Sequence, residues 1–237
     1  MAVAEREHAA VEVVDLATTS LRELNHRLHE LPGTPGPNHW RIVNPSGAHA
    51  VACGLDADVE VEIDGHVGYY CAGMNKVATV RVHGNASTGI AENLMSGRVE
   101  VDGNVSQSAG ATGRGGLLVV HGNASSRCGI SMKGIDIVVG GSVGHMSAFM
   151  AQTGCLVVCG DAGEALGDSI YEARLYVRGS VASLGADCVE KEMRDRHVEQ
   201  VRGLLDAAGI EADPADFRRY GSARQLYNFK IDNVGAY

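Results

Sequence analysis

Four side chains of metal-ligating type, Asp64, His83, Asp102 and His121, stand 19 residues apart in the chain. Carboxylate and imidazole are donors that a zinc or iron centre uses. Cys155 and Cys159 add two thiols four positions apart, and "GATGRGG" at 110–116 has the glycine content of a loop that cradles phosphate. Each has a second reading. Donors repeated at equal intervals are carried along by one element after another, so they diverge where a metal needs them to converge. They read instead as a ladder alternating in charge type between neighbouring strands. The six cysteines (Cys53, Cys71, Cys128, Cys155, Cys159, Cys188) include no CxxC pair and read as reduced, mostly buried thiols. The glycine stretch lacks the Lys-Ser/Thr of a P-loop and opens no helix. Tyr69, Tyr70, Arg114, Arg127, His145, Met146 and Glu164 are further side chains of chemical interest, but they form no set of nucleophile, base and orienting group. The chain therefore offers no catalytic, cofactor-binding or metal-binding residue.

What positions these residues is a repeat. Gly65, Gly84, Gly103, Gly122, Gly141, Gly160 and Gly179 follow one another at 19 residues. Two positions before each stands Val or Ile, and four before stands Val, Leu or Ile. Two after, only Val and Ala occur; three after, only Gly, Ser and Ala; seven after, only Ala and Gly. "HGNAS" occurs identically at 83–87 and 121–125, with "VDGNV" between them at 101–105. Apolar residues at period 2 ending in glycine predict a short strand with one buried face. No copy carries the 3.6-residue apolar period of a helical solenoid or the several leucines of a leucine-rich repeat. The remaining solution is all-β: a right-handed parallel β-helix of seven 19-residue coils, stacked about 4.8 Å apart. Glycine supplies positive φ or close backbone approach at the corners. Asn85, Asn104 and Asn123 would then stack as an amide ladder, with Ser87, Ser106 and Ser125 beside it.

The two ends of the chain read as caps, which a solenoid needs to cover its open strand edges. Residues 1–45 form an N-terminal strand and helix cap, 46–187 the β-helix, and 188–237 a C-terminal helix and aromatic tail. Ser20 and Glu23 make a capping box ahead of a helix bearing Leu21, Leu24, Leu28 and Leu31, which "LPGTPGP" ends. Asp187 and Glu190 show the same spacing before a helix that carries Val189, Met193, Val201, Leu204, Leu205 and Ala208 and stops at Gly209. Asp213-Pro214 starts a further short turn. The last stretch holds five of the eleven aromatics: Phe217, Tyr220, Tyr227, Phe229 and Tyr237. It either packs on its own solenoid or docks on another subunit, with Tyr220, Tyr227, Phe229 and Tyr237 as interface candidates.

A net charge of −9 without a basic run argues against nucleic acid or an anionic membrane as partner. The start "MAVAEREH" has no apolar signal core and no apolar run approaches about 18 residues, so a cytoplasmic protein is expected. No coil carries an inserted residue, and insertions are where β-solenoids hang catalytic groups. A smooth rod suits docking better than a pocket.

"GGLLVVHGNAS", "GIDIVVGGSVG" and "GCLVVCGDAG" resemble the GXGXG domain that ends the large subunit of glutamate synthase and recurs in one of the subunits of formylmethanofuran dehydrogenase. Over roughly residues 14–237, "DLATTSLRELN", "GHVGYYCAGMNK", "GDSIYEA" and "YGSARQLYNFKIDN" more closely resemble the free-standing middle subunit of N-methylglutamate synthase. The resemblance implies a right-handed β-helix acting as a structural subunit of a flavoenzyme complex that moves methylamine onto glutamate or releases ammonia from it. It implies two partners, a class II glutamine amidotransferase-like subunit and a glutamate synthase-like subunit holding FMN and an iron–sulfur cluster. No catalytic residue carries over to this chain. The alternative is the equivalent subunit of a formylmethanofuran-processing enzyme, and a stand-alone carbohydrate-active β-helix would need a carboxylate pair in a groove and loop insertions, and the sequence shows no insertions.

Overall fold

The aliphatic residues two and four before each repeat glycine point inward from one parallel strand per coil. In a computed structural model that describes residues 11–33 and 38–226, these strands are β3 (Glu60–Asp64), β4 (Thr79–Val82), β5 (Arg98–Val101), β6 (Leu117–Val120), β7 (Lys133–Val139), β8 (Thr153–Val158) and β9 (Arg174–Val177). They pair in parallel with a register of 19 residues, Val80 beside Val99 and Leu118 beside Ile137, except where β7 starts: Lys133 sits beside Thr153 and the register shifts by one before Asp136. A second wall is a row of parallel bridges at the position two after the glycine, Val67, Ala86, Val105, Ala124, Val143, Ala162 and Val181. The fold is an all-β parallel β-solenoid.

The interior is one continuous aliphatic column. Val61, Val80, Val99, Leu118, Ile137, Leu156 and Leu175 are all fully buried, as are Ile63, Val82, Val101, Val120, Val139, Val158 and Val177. Each such side chain contributes about 1.5–3 kcal/mol of burial relative to exposure. Stacked identical rows supply here what aromatic bulk supplies elsewhere.

The small residues have two separate causes. From Gly84 onward the repeat glycines are required by close approach: a Cβ on Gly122 would lie 2.6 Å from the carbonyl oxygen of Gly103, and one on Gly179 2.5 Å from that of Gly160, whereas Gly65 is required by its φ of 132°. Seven positions on, the cause is conformation. Ala72, Ala91, Gly110, Gly129, Ala148 and Gly167 all have φ between 52° and 68°. There the left-handed region and a buried site together admit only glycine or the smallest side chain.

The sheet extends past the repeat at both ends. β1 (Val11–Asp15) and β2 (His39–Val43) pair in parallel ahead of β3, so the strand before residue 45 already belongs to the solenoid wall. Helix α1 (Leu21–His29) starts at Ser20, whose hydroxyl accepts from the Glu23 N–H, and buries Leu24 and Leu28 in the end of the core. Its Asn25 amide donates to Ala50 O (2.8 Å) and accepts from Ala52 N–H (3.1 Å), closing the open backbone edge of the first coil.

The far end departs from expectation. Asp187 does not cap a helix: Cys188–Lys191 form strand β10. The helix α2 runs Asp195–Ala208 with Arg194 before it, and Gly209 ends it in the left-handed conformation at φ 66°. Asp213 caps a short 3-10 turn, Pro214–Asp216, and the chain then returns as β11 (Arg218–Ser222). β11 runs antiparallel between β9 and β10. The free edge of β9 needed a partner, and the Asp187 carboxylate is used to hold the returning chain, accepting from Ser222 Oγ and from the N–H groups of Gln225 (2.9 Å) and Leu226 (3.3 Å).

Candidate functional site

The position following the repeat glycine carries a side-chain acceptor in every coil. Asn85 Oδ1 accepts the Asn104 N–H at 2.8 Å, Asn104 Oδ1 that of Asn123 at 2.8 Å, and Asn123 Oδ1 that of Ser142 at 2.8 Å. The chain of bonds extends backward to His66 Nδ1, which accepts from Asn85 N–H, and forward through Ser142 and Asp161 to Ser180. The amides therefore mainly hold backbone, and the side-chain amide bond from Asn123 to Asn104 is the longer one at 3.2 Å. An acceptor is the physical requirement, which Asn, Ser, Asp and neutral His all meet. Asp161 is held below the ordinary carboxylate range by the backbone N–H and then the hydroxyl of Ser180.

The acid and imidazole row one residue earlier splits. His83 Nδ1 lies 2.8 Å from Asp102 Oδ2, but His121 turns to Glu100 (2.8 Å) and Asp64 to Arg41 (2.7 Å). Among the described residues no group of three or more His, Cys, Asp or Glu is arranged to hold a metal. Five of the six cysteines are buried and none is disulfide-bonded; burial pushes Cys128, Cys155 and Cys188 up to about 12. In "GATGRGG", Gly115 and Gly116 pass within 2.7 and 2.6 Å (measured from an added Cβ) of the Met95 and Gly97 carbonyl oxygens, so both glycines serve coil stacking. Tyr70, Arg127 and Met146 occupy one left-handed corner in different coils, at φ 63°, 60° and 55°. Tyr70 Oη accepts from Asn93 Nδ2 (3.0 Å), and Asn93 Oδ1 accepts from Thr112 Oγ1 (2.6 Å). Tyr69 stacks on His49 with ring centroids 3.9 Å apart. Arg114, Arg127, His145 and Glu164 are exposed; the Arg127 N–H donates to the His145 carbonyl oxygen at 2.9 Å, a coil-to-coil backbone bond that brings no side chains together.

Two features escaped the sequence. The first is the outer face of the sheet. Three residues before the glycine stand Glu62, Arg81 and Glu100, then Val119, Val138, Val157 and Tyr176. That switch from charge to apolar marks where α2 lies: Val201, Leu205 and Ala208 pack over Val119, Val138, Val157 and Tyr176, with Cys155, Cys159 and Phe217 in the same cluster. Arg98 Nη1 caps the far end of α2 at Ala207 O, 2.7 Å.

The second is a basic pocket of about 620 Å³ where β9, β10, β11 and the first turn of α2 meet. Arg174, Lys191, Arg194, Arg196, Arg219 and Arg224 line it, against one carboxylate, Glu172. Arg224 binds Glu172 with one nitrogen to both oxygens (2.8 and 2.9 Å), and Arg194 pairs with Glu192 (2.8 Å). Among the described residues Arg174, Lys191, Arg196 and Arg219 form no ion pair with a carboxylate. His197 lies in this wall, 3% exposed. Its Nδ1 accepts the Arg194 N–H at 3.1 Å, and its Nε2 lies 3.3 Å from Arg196 Nε. Burial, and then the charges of Arg219, Arg196, Arg174 and Arg194, hold the imidazole below its ordinary value. Arg219 is likewise lowered, first by burial.

Tyr220 requires a correction. It pairs with Leu175 of β9 and is 2% exposed within the core, so it is not an interface side chain in the free chain. β11 entered the sheet and took the ring with it. Tyr227, Phe229 and Tyr237 lie outside the described residues.

No family model matches the chain. Protein GlxC of Rhizobium meliloti (strain 1021) is 62% identical over 226 residues, covering 95% of this chain and 99% of the relative. The chain belongs to the GlxC family. An identity this high over nearly the whole of both chains means that this relative shares the solenoid fold. No helix among the described residues is long and apolar enough to cross a membrane.

Proposed function

We propose that the chain is a non-catalytic scaffold subunit of a glutamate-synthase-type flavoenzyme complex, nearest to N-methylglutamate synthase. Its partners in this reading are a class II glutamine amidotransferase-like subunit and a subunit carrying FMN and an iron–sulfur cluster. The observation that carries the scaffold role is the run of parallel coils from β3 to β9, in 19-residue register apart from one irregularity between Lys133 and Asp136, with no loop inserted to build a pocket between them. The assignment to this class of complex rests on the GXGXG resemblance. Contact with partners is supported by Tyr69, Met74, Val77 and Met95, which are 41–54% exposed in the turns of two neighbouring coils. Tyr227, Phe229 and Tyr237 are proposed as further contacts.

Co-expression with an amidotransferase-like subunit and an FMN/iron–sulfur subunit from the same source tests this. The expected result is one complex that transfers methylamine to glutamate, while the isolated chain is colourless and inactive. A flavin subunit fully active without this chain, or no co-purification, would refute the scaffold role.

A further inference from the structure

We propose that the basic pocket between β9, the β10–β11 pair and the first turn of α2 binds a small oxyanion ligand, carboxylate or phosphate, carrying at least two negative charges. This goes beyond the scaffold reading and does not depend on it. The decisive observation is a contact with no acceptor in it. A neutral imidazole has one ring N–H and one bare nitrogen. In His197 the bare nitrogen is Nδ1, because it accepts the Arg194 N–H that opens α2. Nε2 then carries the proton, and it faces the Nε–H of Arg196 at 3.3 Å. Two donors point at one another in a residue that is 3% exposed. The other tautomer only moves the conflict to the backbone N–H. At 3.3 Å no oxygen fits between the two nitrogens, but once the exposed Arg196 side chain swings aside an oxyanion oxygen accepts from both and removes the conflict.

The surroundings favour the same ligand. The chain has net charge −9, yet this pocket gathers six Lys and Arg side chains against Glu172 alone. Four of the six form no direct ion pair among the described residues: Arg174 donates to Gln200 Oε1 (3.2 Å) and Arg219 to the Glu192 carbonyl oxygen (2.9 Å), which leaves the charges of Arg174, Lys191, Arg196 and Arg219 without a carboxylate in contact. Such a field repels metal ions and attracts anions. The planar guanidinium fork suits carboxylate and phosphate oxygens. The first turn of α2, a 14-residue helix, adds the positive end of its dipole. A cavity of about 620 Å³ is of the size that holds a small molecule. An occupant that meets a ring nitrogen in so buried a residue must also be slender.

The test is calorimetric titration of the full chain with pyrophosphate and, separately, citrate, both at constant ionic strength with chloride as the reference salt. The expected result is saturation at one site per chain by one of the two, which distinguishes the phosphate from the carboxylate source. Arg196→Gln and Arg174→Gln, both at exposed positions, should keep the wild-type circular dichroism and each weaken binding about tenfold or more. Arg22→Gln, on α1 at the other end of the rod, should leave it unchanged. In the nitrogen–proton spectrum the His197 Nε2–H signal should move as the ligand is added. Failure of both anions to saturate overturns the proposal. So does equal weakening by Arg22→Gln, which would mean only diffuse charge. Tighter binding of an acidic glutamate oligopeptide than of either small anion would also overturn it, by making the pocket a polypeptide dock.

Discussion

Replacing Gly122 with Ala places a Cβ 2.6 Å from Gly103 O, 2.7 Å from Asn104 Oδ1 and 2.8 Å from the Gly103 carbonyl carbon. Ordinary contact begins at 3.4 Å, so the two coils must part locally by 3.4 − 2.6 = 0.8 Å. They are not free to do so. The Gly122 N–H bonds to Gly103 O at 3.1 Å, the Asn123 N–H to Asn104 Oδ1 at 2.8 Å, and β5 pairs with β6 immediately before them. Overpacking of this kind costs about 1–3 kcal/mol, and each backbone bond sacrificed to relieve it about 1 kcal/mol more. The expected total is about 2–5 kcal/mol. For a chain of this size that lowers the melting temperature by roughly 4 °C at the least. Gly203→Ala is the matched control, because nothing lies within 4 Å of its added Cβ in the middle of α2. There alanine should stabilise by about 1 kcal/mol, through helix propensity. Thermal unfolding followed by circular dichroism reads both. If Gly122→Ala melted at or above wild type, close approach would not be what holds glycine at this position of the repeat.

Val139→Asp puts an unpaired carboxylate into a fully buried site and should cost several kcal/mol, about enough to prevent folding at 37 °C; a wild-type melt would mean that the assigned inside and outside of β7 are exchanged. Leu205→Ala, under α2, should destabilise by about 2–5 kcal/mol in urea unfolding without altering the β signal of the coils. Asp161 has a folded pKa lowered below its unfolded value, so its contribution is full above the unfolded pKa and is lost as pH falls through the folded one. Asp161→Asn should therefore be less stable than wild type at pH 7, with the gap closing below about pH 4; a gap that widens in acid contradicts the ladder assignment. A chain ending at Leu226 should fold like the full chain, whereas one ending at Asp216 loses β11, exposes the edge of β9 and should melt earlier; equal melting of the two would remove β11 from the sheet.

The parts legible in the sequence were those whose cause is local or repeated. Inward positions follow from aliphatics two and four before each glycine, and the start of α1 follows from Ser20, whose hydroxyl accepts the Glu23 N–H within a single turn. Asp187 and Glu190 match the same pattern and mislead, because their segment had a better use: an unpaired strand edge at β9 that only a distant part of the chain could fill. No local signal distinguishes an aspartate that caps a helix from one that clasps Ser222, Gln225 and Leu226 from 35 residues and more away. The placement of α2 did leave a trace. The change from Glu62, Arg81 and Glu100 to Val119, Val138, Val157 and Tyr176 records where the outer face of the sheet stops meeting solvent and starts meeting a helix.

A translational repeat explains both the plainness of the coils and the place where they stop being plain. Equivalent side chains in successive coils are carried along parallel lines, so they bond to a neighbour above and below, as the ladder from His66 to Ser180 does, but cannot gather around a common point. His83 and His121, though on equivalent positions, accordingly find different carboxylates. Convergence needs an element that breaks the translation. Here that element is β11, which runs antiparallel between β9 and β10 and brings Arg219 toward Arg174 from the last coil and toward Arg194 and Arg196 from α2. The pocket appears where the repeat ends because there the returning strand brings basic side chains from different parts of the chain to face one another.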